Sequence, residues 1–308
     1  MYLMEDKRGL LLILLAGLIS GFSIFINGFG VKEFDSSLFT FLKNVTVAIF
    51  LFSIILIAGN FSKLKSLKKK HWIQLIIIGF IGGSIPFLLF FKGLQMTSGT
   101  TSAFIQKTLF IFVSVFALMF LKEKINKSFL IGASLILTGT YFMIKPNFSF
   151  SIGHILILIA TIFWAIEVTF AKHVLKEVSG TMVGFGRMFF GSLFILIFLL
   201  FTGKISLTRL INSQQIGWIV LTSVFLFLYV FSFYNGLKRV KVSIATAIIS
   251  IGAPITATLN FIFQGKSITL NQSIGIFLII IGIVLVTWFA HIVSFITRIW
   301  SIKQNERG

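Results

Sequence analysis

The segment Phe90–Met143 recurs without a gap 143 residues later, as Phe233–Val286. Eleven of the 54 aligned pairs are identical, among them the glycine pairs Gly93/Gly236, Gly132/Gly275 and Gly139/Gly282. The polar breaks at Lys122–Lys127 and Gly265–Asn271 fall in register as well. A shared spacing of apolar runs and breaks marks an internal duplication, and a chain written this way folds as two copies of one plan. The two units are placed at residues 1–147 and 148–308.

Composition says what the plan is made of. The chain is 57% hydrophobic and 11% charged, with a mean hydropathy of +1.03, which leaves too little polar surface to cover a soluble domain. Apolar runs long enough to cross a bilayer as helices recur throughout, and they are continuous rather than alternating, which excludes a β-barrel. The expected spans are 10–30, 38–59, 73–94, 100–121, 128–144, 152–172, 181–201, 216–237, 242–263 and 273–293. The fold class is therefore an all-α polytopic membrane protein with ten transmembrane helices.

The net charge of +19 does not point to nucleic acid, because the basic residues sit in the gaps between apolar runs. With the N-terminus inside, the cytoplasmic segments hold 18 Lys/Arg and the opposite loops five, so both termini are expected on the cytoplasmic side of a cell membrane. Met1–Arg8 leads into its apolar run without a cleavage site, which reads as a retained first helix. The cluster Lys63, Lys65, Lys68, Lys69 and Lys70 is a topology anchor or, as a sharper alternative, a lipid-headgroup site. Trp72, Trp218, Trp288 and Trp300 lie near span ends, as interfacial belt residues do. His71, His154, His173 and His291 show no ligand spacing and there is no cysteine, so neither a metal nor a cofactor is expected.

Five spans per unit is an odd number, so the second unit must enter the membrane from the opposite face. The expected architecture is two inverted five-helix repeats related by a pseudo-two-fold axis in the membrane plane. Such repeats have two arrangements of similar energy, one open to each side. No HExxH, GxSxG, intramembrane Asp pair or P-loop occurs, which argues against an enzyme or an ATP-driven pump. A secondary transporter is the leading reading, with a channel or scramblase on the same fold as the alternative.

Trp164-Ala165-Ile166-Glu167 through Lys172 resembles the Trp-Gly-x-Asn…Lys pattern that opens repeats of the EamA branch of the drug/metabolite transporter superfamily. Arg187-Met188-Phe189 is similar to the start of that family's second helix. Phe91-Lys92-Gly93-Leu94 and Tyr234-Asn235-Gly236-Leu237 resemble the end of its third. Leu121-Lys122-Glu123-Lys124 and Gly265-Lys266 resemble the link between the fourth and fifth helices, and Pro254 falls near the fourth-helix proline. The first unit departs from the pattern, with Ser20-Gly21 at the tryptophan motif, Lys43 in place of the arginine and no proline near Phe110. Glu167 replaces an asparagine and Lys107 is an added charge. The resemblance implies that the first and fourth helices of each repeat line a central cavity.

A charge near the centre of a span costs about 2.5–3.5 kcal/mol on insertion scales, so each one needs a wet cavity, a partner or an escape to the headgroups. Lys92 is close enough to a span end to snorkel. Lys43 and Arg187 occupy matched places in the two units and suit either bonding to helix C-terminal carbonyls or gating. Lys107 and Glu167 are each the only charge in the body of their helix. They read either as an ion pair across the repeats or as direct handlers of substrate, with Glu167 also the candidate proton carrier. Lys43, Lys92 and Lys107 in the outer half suggest attraction for a carboxylate or phosphate, and Glu167 a contact for an amine. Trp164, Tyr234, Asn235, Gln106 and Ser250 complete the expected substrate-binding set, with Phe163, Tyr229 and Asn260 as further pathway candidates. The expected function is secondary active transport, as an exporter, of an amino acid or related zwitterion or carboxylate by alternating access, proton-coupled or by exchange. Phosphorylated or nucleotide-like metabolites are the alternative cargo. The expected partners are the small-molecule substrate and the bilayer, with a monomer or homodimer as the assembly.

Overall fold

A computed structural model describes residues 6–30, 34–96, 99–146, 151–206 and 211–305, and the side chains of Trp288, His291 and Trp300 lie outside the description. Among the described residues there are helices and links but no strand. Helices satisfy the backbone within each segment, which hydrocarbon requires. In the first unit the order is α1 (Lys7–Gly30), α2 (Ser36–Ile57), the short α3 (Phe61–Lys65), α4 (Lys69–Gly83), α5 (Ile85–Gln95), α6 (Gly99–Lys107), α7 (Leu109–Phe120) and α8 (Lys127–Ile144). The second unit contains α9 (Ile152–Val174), α10 (Gly180–Phe201), α11 (Ser213–Leu237), α12 (Val242–Ile249), α13 (Gly252–Gln264) and α14 (Leu270–Asn305). Ten stretches among the described residues are long and apolar enough to cross a membrane; α4–α5, α6–α7 and α12–α13 form one stretch each. Their bounds follow the spacing of the sequence except at the end. There α14 runs on to Asn305, since residues 288–305 contain neither Gly nor Pro to stop it.

Starts of helices are set by local chemistry. Asp35, Asn126, Ser151 and Ser179 each accept a backbone N–H of the first turn, and Asn212 and Gln215 cap α11 reciprocally. Breaks are equally local. Pro254 has no N–H to give to the Ser250 carbonyl, which accepts from Ala253 at 3.1 Å instead, and the ninth span parts into α12 and α13. The fourth span parts at the matching place without a proline: the Thr108 hydroxyl bonds the Ile105 carbonyl at 2.6 Å and Ile111 N–H turns to Thr108 at 2.9 Å. Lys107, the last residue of α6, and Ser250, the C-cap of α12, stand 143 residues apart at equivalent breaks.

The two units are inverted, and one crossing proves it. A Cβ added at Gly132 would lie 2.6 Å from the Gly282 carbonyl oxygen, and one at Gly139 would lie 2.6 Å from that of Gly275. Helices α8 and α14 therefore run antiparallel. Exchanging the units carries Gly132 onto Gly275 and Gly139 onto Gly282, which turns the first contact into the second. Only a two-fold axis perpendicular to both helices does this. The remaining packing obeys the same exchange. Helix α1 packs on α11, α12 and α13, as α9 packs on α4 through α7. These are two bundles, with α2 and α10 crossing beside them. Large apolar side chains such as Leu11, Phe120, Phe201 and Leu270 are exposed around the outside, where lipid would meet them.

Because the atom each new Cβ would strike is backbone, Gly139→Leu is expected to cost about 1–3 kcal/mol, measured as a lower thermal-unfolding midpoint in detergent. Gly217, with open space around it, is the control: Gly217→Leu should leave the midpoint in place.

Candidate functional site

The site begins with a missing donor. Pro86 cannot give an N–H to the Gly82 carbonyl, and α4 stops at Gly83. Ser84 leaves the helix at φ −132°, ψ −72°, and the N–H groups of Phe87 and Leu88 turn to its carbonyl at 3.1 and 3.2 Å. The carbonyls of Gly82 and Gly83 are thereby stripped of helical partners inside the protein, where an unpaired carbonyl is costly. Three side chains fill the vacancy. Trp164 Nε1 and Arg187 Nη2 both donate to the Gly82 oxygen at 3.2 Å, and Asn44 Nδ2 donates to that of Gly83 at 3.0 Å. Glycine is required at residue 83, where a Cβ would run into the Arg187 carbonyl, and a Cβ at Gly82 would push the Glu167 side chain aside.

Glu167 sits against this break with no exposed surface. Its Oε1 accepts from Tyr234 Oη at 2.6 Å, and its Oε2 faces Arg187 Nε at 3.6 Å. That second approach is an ion pair but too long for a hydrogen bond, and both atoms lack a hydrogen-bond partner among the described residues. Glu167 is thus paired with Arg187, not with Lys107. Helix α9 delivers Glu167 from one bundle, α11 delivers Tyr234 from the other, and α10 brings Arg187 between them.

Beyond the cluster lies a cavity of about 600 Å³. Its walls come from the half of the molecule that carries the α1–α2 and α5–α6 links. Lys43, Gln106, Lys107, Trp164, Arg187 and Ser250 line it, as do Glu167, Tyr229 and Tyr234. Lys43 donates to Asn27 Oδ1 at 2.7 Å and lies 4.9 Å over the Phe39 ring, so its partner is a side-chain amide rather than a helix-end carbonyl. Lys107 makes no hydrogen bond or ion pair among the described residues. Trp164 stacks edge-on against Phe87 at 5.3 Å and tilts over Phe90 at 5.6 Å, extending an aromatic wall along α5.

Not every expected residue comes to the cavity. Asn235 is not part of the lining; its amide bonds Thr181 Oγ1 at 3.3 Å and the Phe231 carbonyl at 2.8 Å. Phe163, Asn260 and Lys92 are absent from the lining too, and Lys92 is exposed near the end of α5. In exchange the lining includes Asn27 and Asn44, uncharged residues that a search for intramembrane charge passes over. The local signal was there, a polar side chain four residues after Ser23 and another directly after Lys43.

At the other end of the molecule the two bundles are tied together. Lys172 of α9 donates to the carbonyls of Leu237 at 2.7 Å and Val240 at 2.6 Å, and Lys238 donates to that of Val178 at 3.1 Å. Glu123 caps α12, accepting from Val242 N–H at 2.8 Å and Ser243 Oγ at 2.7 Å. Within one bundle, Lys70 and then His71 of α4 hydrogen-bond Glu177, just past the end of α9, and hold its carboxyl down at about 2, against an ordinary 4.5. A depressed carboxylate stabilises in full above its ordinary range and fades only as pH falls towards that lower value, so this tie persists at neutral pH.

A buried pair that loses one member strands the other, so Glu167→Gln and Arg187→Gln should each destabilise the fold, by about 1–3 kcal/mol for a pair beside a cavity. The double variant should cost less than the sum of the two, as read by thermal unfolding in detergent across the four proteins.

Comparison with known proteins places this geometry. The EamA-like transporter family model matches twice, over residues 7–145 and 151–288. The chain is 24% identical over 243 residues to the uncharacterized transporter YyaM of Bacillus subtilis, covering 76% of this chain and 79% of that one. It is 27% identical over 239 residues to an uncharacterized transporter of Archaeoglobus fulgidus, covering 77% and 83%. A protein known from its crystal structure superposes with a TM-score of 0.76 at 14% identity, over 94% of this chain and 99% of that one, which establishes the common fold. The two inverted repeats, each matched by the family model, make the chain a member of the EamA-like transporter family.

Proposed function

We propose that the chain is a secondary transporter that carries a small organic metabolite by alternating access. The observation that supports this most directly is the contrast between the two ends of the cleft separating the bundles. At one end Lys172, Lys238 and Glu123 close it; in the other half it widens into the cavity. Inverted repeats give such a cleft a second arrangement of comparable energy with the ends exchanged. By the distribution of Lys and Arg, the closed end and both termini face the cytoplasm, and the cavity belongs to the outward-facing state.

Cargo enters against Trp164 and the aromatic wall, with a carboxylate as the end that the cationic side chains favour. Amino acids and other carboxylate-bearing metabolites fit that description. The Glu167–Tyr234 bond spans the two bundles at the cavity floor, so it must open when the bundles move. Glu167 in its protonated form would release Arg187 and ease that step, which is a route to proton coupling or to exchange. No ATP-binding motif is present to drive transport otherwise.

The closed end supplies the test. The chain has no cysteine of its own, so Glu123→Cys with Ser243→Cys introduces a unique pair. Bridging it with a short cleavable thiol cross-linker in proteoliposomes should abolish counterflow, and reductant should restore it. Counterflow that survives the bridge would exclude alternating access through this cleft.

A further inference from the structure

The charges of the cavity do not balance. Three cationic side chains line it, Lys43, Lys107 and Arg187, and among the described residues the only acid in the lining is Glu167. Glu167 is committed to Tyr234 and Arg187. Among the described residues Lys43 has only the neutral Asn27 amide and the face of Phe39. Lys107 has no partner at all among the described residues. Two basic side chains are therefore left without counter-charge in a low-dielectric region, where their charged forms are expensive until an anion answers them.

The surroundings of Lys107 are those of a ligand rather than of a lipid headgroup. Whereas Lys92 is exposed near the end of α5, Lys107 ends α6 at the break in the fourth span and faces the cavity. Next to it Gln106 also lines the cavity with no hydrogen-bond partner among the described residues. The pseudo-two-fold partner of Lys107 is Ser250, which lines the same cavity from the matching break with its hydroxyl likewise uncommitted. An ammonium, an amide and a hydroxyl are thus presented to one space, facing the aromatic wall of Phe87, Phe90, Phe91 and Trp164.

We propose that the transported molecule is an amphipathic organic anion whose carboxylate or phosphate head is held by Lys107, in the field of Lys43, while its apolar body lies on the aromatic wall. This rests on the transporter reading and narrows it. A compensating amine on the cargo is not called for, because Arg187 already satisfies the one acid. Lys107 is then the specificity-determining group, since neutral and cationic isosteres leave its charge unanswered.

The test uses the purified full chain with defined probes: benzoate and phenyl phosphate as anions, benzylamine and benzamide as cationic and neutral isosteres, phenylalanine as the zwitterion, and inorganic phosphate. Thermal-unfolding shifts report binding, and counterflow of labelled benzoate in proteoliposomes reports transport. At least one organic anion is expected to raise the midpoint, with benzylamine, benzamide and inorganic phosphate inert and phenylalanine weaker. Lys107→Gln should weaken anion binding on the order of tenfold or more, the size expected for a hydrogen bond to a charged group, and Lys107→Arg should retain most of it. The unliganded Lys107→Gln protein should melt no lower than the parent, because an unpaired charge has been removed. Equal anion binding by Lys107→Gln, a larger shift with benzylamine or phenylalanine, or an equal shift with inorganic phosphate would overturn the proposal. So would silence from both organic anions. Saturable counterflow of benzylamine or benzamide alone would leave transport standing and refute only the anion assignment; no saturable counterflow of any probe would count against both.

Discussion

A peptide carbonyl in hydrocarbon must find a donor, and most of this structure follows from where two of them find theirs. Pro86 and the turn at Ser84 release the oxygens of Gly82 and Gly83 from their helix. The donors that replace the helix come from three other helices: Asn44 from α2, Trp164 from α9 and Arg187 from α10. A local defect in one span thus becomes the joint that gathers four spans at one depth. Arg187, held by the Gly82 oxygen on one side, is positioned to face Glu167 on the other. The charge pair is a consequence of the backbone break.

The pseudo-symmetry makes the asymmetry informative. Both fourth spans part at matching residues, one through Pro254 and one through Thr108, so that break belongs to the shared plan. The third span parts into α4 and α5, whereas its counterpart α11 is continuous from Ser213 to Leu237. The intact helix is the one that carries Tyr229, Phe233 and Tyr234 into the cavity. The second unit thus provides an unbroken wall and most of the floor, while the first provides the interrupted span and the basic side chains Lys43 and Lys107. Two copies of one plan have divided the work of a site.

Much of the architecture could be read from the residues because bilayer thickness and backbone satisfaction leave few options. An odd number of spans per copy dictates inversion, and the paired glycines of the fifth and tenth spans allow close backbone approach; the structure has both, with α8 and α14 crossing at those glycines. Charges within spans led to Lys43, Lys107, Glu167 and Arg187, all of which line one cavity. Their pairing was harder to read. Arg187 stands seven residues into a helix that starts from the opposite face to α9, so its level with Glu167 emerges only when both helices are packed. Asn27 and Asn44 leave little mark in the sequence, because a single amide does not interrupt an apolar run as a charge does. As a polar side chain within a span Asn235 reads as a pathway residue, but a residue directly after Tyr234 points about 100° around the helix from it, and so it meets Thr181 instead.

The tie made by Lys172 has an unusual property with respect to genetic change. It reaches the main-chain oxygens of Leu237 and Val240, groups that every amino acid possesses. Drift at those two positions therefore leaves the acceptors themselves in place, and co-variation between them and residue 172 has no reason to arise. On the acceptor side, then, those two contacts leave no trace for a method that looks for residues changing in pairs.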